Sequence, residues 1–168
     1  RGRHTLMLLA TTDPLLCIDR LSPPSPSEAV VEAVHWPADE ITRQFEPVLR
    51  RPITEKTSGH AVLFSSSALS GSTNILPTVN CAVNMLESGK DQRPHRHNGV
   101  AVTLCIRGQG VYSQIEDQRV DWIDFGVQIT PPAALHSHHN RGPERMECLI
   151  FQDEALHYYT RTPGFSWT

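Results

Sequence analysis

From about residue 60 the chain breaks into short, β-branched apolar runs, each closed within a few residues by a turn signal. Ala61 to Ser66, Val79 to Leu86, Val100 to Ile106, Val111 to Ile115, Val120 to Ile123, Val127 to Thr130 and Met146 to Phe151 all have strand length. Ser88-Gly89-Lys90-Asp91, Gly108-Gln109-Gly110, Glu116-Asp117 and Asp124-Phe125-Gly126 punctuate them. Short strands at this spacing, with no long helical period between them, predict an antiparallel sandwich or barrel. A parallel α/β sheet needs helices that this stretch lacks. The expected fold class is therefore all-β.

Residues 1 to 57 have a different texture and are expected to form an arm with short helices, leaving 58 to 168 for the barrel. Pro accounts for 13 of 168 residues, against an average of about 5 %, and Ser22-Pro23-Pro24-Ser25-Pro26 reads as a stiff extended break. Ser27 precedes Glu28 to Val34 as an N-cap before an acidic first turn, which predicts a short helix. A second helix is predicted over Ala38 to Arg51, with Ile41, Phe45, Val48 and Leu49 on one face and Pro47 bending or ending it. Trp36, Phe45 and Leu49 are candidates for covering the barrel or a second subunit.

Several function classes drop out. With 15 Lys+Arg against 18 Asp+Glu, the net charge of −3 carries no nucleic-acid footprint. The longest apolar run, Leu6 to Ala10, is far below the roughly 18 residues of a membrane helix and too short for a signal peptide's apolar region. Cys17, Cys81, Cys105 and Cys148 form no CxxC motif. Three of them sit in strand-like runs, as expected of buried, reduced thiols in a cytoplasmic protein.

The chemistry lies in the histidines. Six of the nine fall between His95 and His157. In His95-Arg96-His97 the two imidazoles are separated by one residue, so on a strand they share a face and can converge on one metal. Arg96 then points away. If the parity continues, Ala101, Thr103 and Cys105 face the same interior. Val102, Leu104 and Ile106 face the other side, which suits a wall packed on both faces. Imidazoles bind transition metals best in sets of three, and His136-Ser137-His138-His139-Asn140 supplies candidates for the third ligand. The plain reading makes His138 and His139 surface residues and Asn140 a turn closure.

These residues resemble the cupins. Gly89, five residues, His95-Arg96-His97 and Gly108 fit the first cupin motif. Gly126, Pro131, His136 and Asn140 fit the second, with Ala133 in place of its inner glycine. The resemblance covers about residues 84 to 152 and reaches back to about 58. It implies a single cupin jelly-roll barrel with His95, His97 and His136 as metal ligands. The carboxylate of the first motif falls at Ala101 or Val102, neither of which can bind a metal. That departure resembles the gentisate 1,2-dioxygenase-like cupins, as do Gly108-Gln109-Gly110-Val111-Tyr112 and Thr130-Pro131-Pro132.

What this resemblance implies is a dioxygenase-type oxidoreductase that uses a three-His Fe(II) site on a small chelating substrate of the aromatic hydroxy-acid kind, with O2. Zinc, nickel and manganese also accept three imidazoles. The alternatives are a non-catalytic metal- or ligand-binding cupin module and a Lewis-acid isomerase or lyase. Asn84, Thr103, Cys105 and His138 are candidates for the pocket wall. Thr103 stands where that subfamily often carries an Arg. A homodimer is expected, with no nucleic-acid or membrane partner.

Overall fold

In the computed structural model, residues 31–54 and 57–168 are described. In chain order they form α1 (Ala38–Leu49), β1 (His60–Phe64), β2 (Asn80–Leu86), β3 (His95–His97), β4 (Ala101–Arg107), β5 (Val111–Ile115), β6 (Gln118–Asp121), β7 (Val127–Thr130), β8 (His136–Asn140), β9 (Met146–Gln152), α2 (Glu154–Thr160) and β10 (Phe165–Trp167). The strands make two five-stranded sheets, ordered β1-β2-β9-β4-β7 and β10-β3-β8-β5-β6, with antiparallel pairing throughout. This is an all-β jelly roll.

Side-chain alternation builds the core. On β4, Ala101, Thr103 and Cys105 are buried toward the interior. Between the sheets, Leu86, Ala101, Val111, Met146, Cys148 and Ile150 form one cluster, with Trp122 packed against it. On β2 the inward residues are Ala82, Asn84 and Leu86. The odd-numbered Cys81, Val83 and Met85 lie on the other face, where Phe45 of α1 packs on them with Trp36, Ile41, Val48 and Leu49. Burying one large apolar side chain of this kind stabilises by about 1.5–3 kcal/mol. Helix α1 and Trp36 thus cover this chain's own sheet.

The expected wall packed on both faces holds only in part. Helix α1 covers the β1–β2 side, while Val102, Ile106, Val127 and Ile129 on β4 and β7 are exposed. The helix predicted over residues 28 to 34 is absent from its described part, residues 31 to 34. There Glu32 instead accepts hydrogen bonds from the Ser67 hydroxyl and the Ala68 N–H, and Pro37 favours an extended approach. Its N-cap and the proline-rich break lie outside the described residues, as does Cys17. The second helix ends at Leu49, with Pro47 in its last turn, where the missing N–H costs one hydrogen bond. Cys81, Cys105 and Cys148 are free and buried.

Asn140 fastens β8, the strand that opens with His136, to its surroundings. It is fully buried, its amide donates to the carbonyls of Leu86 and Glu144, and its oxygen accepts the Gly142 N–H. Its own carbonyl accepts the N–H of Gly89, whose φ of +74° closes the turn after β2. Ala133 adopts φ +62°, a left-handed conformation that suits the glycine it replaces in the motif. Replacing Asn140 by Ala strands three backbone partners, two of them in buried hydrogen bonds. It should lower unfolding stability by about 2–4 kcal/mol, measured by denaturant unfolding. A loss below about 0.5 kcal/mol would remove this role.

Candidate metal centre

The two cupin-like motifs meet across one strand pair. His95 and His97 lie on β3, His136 opens β8, and the register sets His95 directly opposite His136. One ligand nitrogen from each of the three falls within 4.8 Å of the others. The rings of His95 and His136 are 4.2 Å apart between centroids, and those of His97 and His136 4.7 Å. All three residues are about 4 % exposed.

Each ring is oriented by a backbone carbonyl two residues away. His95 Nδ1 bonds the Arg93 carbonyl at 3.0 Å, His97 Nδ1 the Gly99 carbonyl at 2.8 Å, and His136 Nδ1 the Ala134 carbonyl at 2.9 Å. A carbonyl only accepts, so every Nδ1 carries the proton and every Nε2 keeps its lone pair. Burial holds His95 below the ordinary imidazole range and lowers His136 to about 4, so these rings remain neutral at physiological pH. Three buried imidazoles, each oriented by a backbone carbonyl, form a donor set that fits a divalent transition metal. No carboxylate competes at position 101. Across the ladder from Ala101, the Gln152 amide instead reaches His97 Nε2 at 3.3 Å.

His138 is buried, contrary to its surface expectation, because it faces inward with His136. Burial and the neighbouring histidines lower its pKa to about 3. The Trp122 indole N–H donates to Ser113 Oγ at 2.7 Å, and Ser113 Oγ lies 2.9 Å from His138 Nδ1. The indole can only donate. Ser113 Oγ accepts from it, and His138 Nδ1 is the only other hydrogen-bond partner of that hydroxyl among the described residues, so its proton is directed at Nδ1 and the His138 proton sits on Nε2. His138 is thus a neutral hydrogen-bond donor with the opposite tautomer to the three clustered histidines. His139 is half-buried rather than exposed, stacked on Tyr112 and bonded to Asp91.

A cavity of about 130 Å³ opens beside the cluster, and Asn84, Thr103 and His138 line it with the three histidines. Cys105 does not. It sits one pleat further along β4, lines a separate cavity of about 160 Å³, and donates its thiol proton to Asp124 at 3.8 Å. Burial, then the Asp124 carboxylate, push that thiol up to about 11. Arg96 alternates away from the cavity, to Glu116 and the Ala133 carbonyl.

The sequence reading missed Gln92, Gln152 and Phe165 in the cavity wall. Gln152 was accessible through parity, since it shares the inward face of β9 with Cys148 and Ile150. Gln92 lies in a turn segment whose N–H donates to the His138 carbonyl, a pairing without an apolar pattern. Phe165 belongs to β10, which pairs with β3 and stacks the ring on His95 at 5.2 Å.

Comparison with solved structures decides the fold. Salicylate 1,2-dioxygenase from Pseudaminobacter salicylatoxidans superposes with a TM-score of 0.73 at 19 % identity, over 79 % of this chain and 38 % of that one. A variant of that enzyme in complex with gentisate gives 0.79, also at 19 % identity, over 88 % and 41 %. The barrel has the cupin-type jelly-roll fold of these structures. Among curated proteins, a gentisate 1,2-dioxygenase from Streptomyces sp. is 26 % identical over 144 residues, covering 83 % of this chain and 39 % of the relative. A 5-nitrosalicylic acid 1,2-dioxygenase from Bradyrhizobium sp. is 25 % identical over 87 residues, covering 52 % of this chain and 42 % of the relative. The chain therefore spans about two fifths of the length of these relatives. No protein-family profile matches it. Among the described residues no helix is long and apolar enough to cross a membrane.

The buried histidines give the protein a defined acid response. An unfolded His takes up its proton near pH 6.5, whereas folded His136 and His138 do so only near 4 and 3. Between these values the unfolded state binds more protons, so stability falls as pH falls. The thermal midpoint of the metal-free protein should drop steadily as the pH is lowered from 6.5 to 4. A midpoint that is flat or rising across that window would contradict neutral burial.

Proposed function

We propose that this cupin is a metal-dependent dioxygenase in which His95, His97 and His136 hold Fe(II) and a small chelating substrate meets O2 beside them. The observation carrying this reading is the set of three buried Nε2 lone pairs with no carboxylate at Ala101. Three neutral ligands leave a divalent ion its full charge and adjacent open positions. Bound there, ferrous iron would supply the redox partner for dioxygen in oxidative cleavage of a chelated substrate. The relatives support the choice, since their names describe 1,2-dioxygenases acting on gentisate and 5-nitrosalicylic acid.

In this reading the chain's own residues orient the substrate and keep the site dry. His138 offers its Nε2 proton to an oxygen in the cavity, and the Ser113–Trp122 relay keeps that proton in position. Thr103 and Asn84 supply further polar contacts. Ile150 and Phe165 restrict water. The same reading includes a homodimer, which would cover the exposed apolar residues of β4 and β7.

The test is oxygen uptake after anaerobic loading with Fe(II), against a panel of aromatic hydroxy-acids and dihydroxybenzenes. Uptake with at least one substrate is expected, falling to background in His136→Ala. One tightly bound metal per chain without uptake across the panel would contradict the dioxygenase and favour a binding module or a redox-inert enzyme.

A further inference from the structure

Among the described residues, the one hydrogen bond of the Gln152 side chain goes to His97 Nε2, at 3.3 Å. The Gly99 carbonyl holds the proton of that ring on Nδ1, so the Nε2 lone pair is the one a metal would use. The contact is long for a hydrogen bond, for which roughly 2.7–3.2 Å is usual. It matches a different spacing. Two donors that share one ion at about 2.0–2.1 Å in a tetrahedral shell lie about 3.3–3.4 Å apart. The last torsion of a carboxamide is twofold, so half a turn puts Oε1 where the amide nitrogen stands.

The backbone holds this amide in place. Gln152 ends β9, in register with Asn80 of β2 on one side and Ala101 of β4 on the other. The next residue, Asp153, accepts the Val100 N–H at 2.8 Å, which ties the end of β9 to the start of β4. Ala101 lines the same cavity and carries no donor atom, and its methyl leaves the neighbouring Gln152 side chain free to reach His97.

Resting on the metal-site reading above, we infer that Gln152 is the fourth protein ligand of this site, binding the metal through Oε1. A carboxamide oxygen is a known donor in sites built on imidazole. It is uncharged, so the ion keeps its double positive charge for an anionic chelator. It is also a weaker donor than a carboxylate, so a chelating substrate can take its place. The rival role for the amide is a plug. Its N–H would then satisfy His97 Nε2 only until a metal arrives, and the ion would have to push it aside. The two roles act on metal affinity with opposite signs: a ligand assists the ion and a plug competes with it.

The experiment titrates the metal-free protein with zinc in competition with a chromophoric chelator. In isotopically labelled wild-type protein, NMR follows the side-chain carboxamide carbon of Gln152, assigned by its loss in Gln152→Glu. One zinc per chain is expected, bound about tenfold more weakly by Gln152→Leu and at least as tightly as wild type by Gln152→Glu. The carboxamide carbon should move downfield on zinc loading, a readout on the wild-type protein that stands even if Gln152→Leu does not fold. Zinc bound by Gln152→Leu as tightly as by wild type, or more tightly, would overturn this inference and leave the three-histidine site standing. A wild-type carboxamide carbon that zinc does not shift would do the same. Wild-type protein that binds no zinc would overturn both.

Discussion

The site depends on a short-range constraint, the hydrogen bond from each Nδ1–H to a carbonyl two residues away. Residues 93 to 99 and 134 to 136 carry both the imidazoles and the groups that orient them. Strand geometry does the rest. Alternation puts His95 and His97 on one face, and the β3–β8 register brings His136 opposite His95. Neutral rings tolerate the burial because none needs to hold a charge. The barrel supplies the low dielectric that holds His95 and His136 unprotonated.

This explains why the histidine pair was legible in the sequence and much of its surroundings was not. His95 and His97 follow from a period of two, which survives without an apolar pattern. The inward parity of Ala101 and Thr103 followed by the same rule, although the strand breaks between His97 and Ala101. β8 reads His-Ser-His-His-Asn and carries no alternating apolar signal, because its inward face is polar. Sequence alone therefore places His138 at the surface, whereas Ser113 and Trp122 bind it in the interior. Cys105 fails as a wall residue of the histidine cavity because facing inward fixes the side of the sheet, not the position along the barrel axis. Gln92 depends on a turn pairing with β8, which only the tertiary structure reveals.

The outer surface follows the same economy. α1 buries Phe45 on β1 and β2, and the apolar residues of β4 and β7 remain open. Inside, a polar end of the barrel near the histidines gives way to the apolar cluster around Cys148 and Val111. The resemblance to much longer dioxygenases rests on this barrel, and the chain spans only about two fifths of their length. The account of function therefore stands on the chemistry of the cavity. Its wall keeps a three-imidazole donor set and pairs it with amides, hydroxyls and one carboxylate.

The most direct test of that donor set is X-ray absorption spectroscopy on the zinc-loaded protein. The account predicts a shell containing three imidazole nitrogens at about 2.0–2.1 Å, completed by lighter exchangeable ligands and containing no sulfur. The imidazole signal should fall by one third in His136→Ala. A sulfur scatterer at about 2.3 Å, or an imidazole count unchanged in that variant, would contradict it.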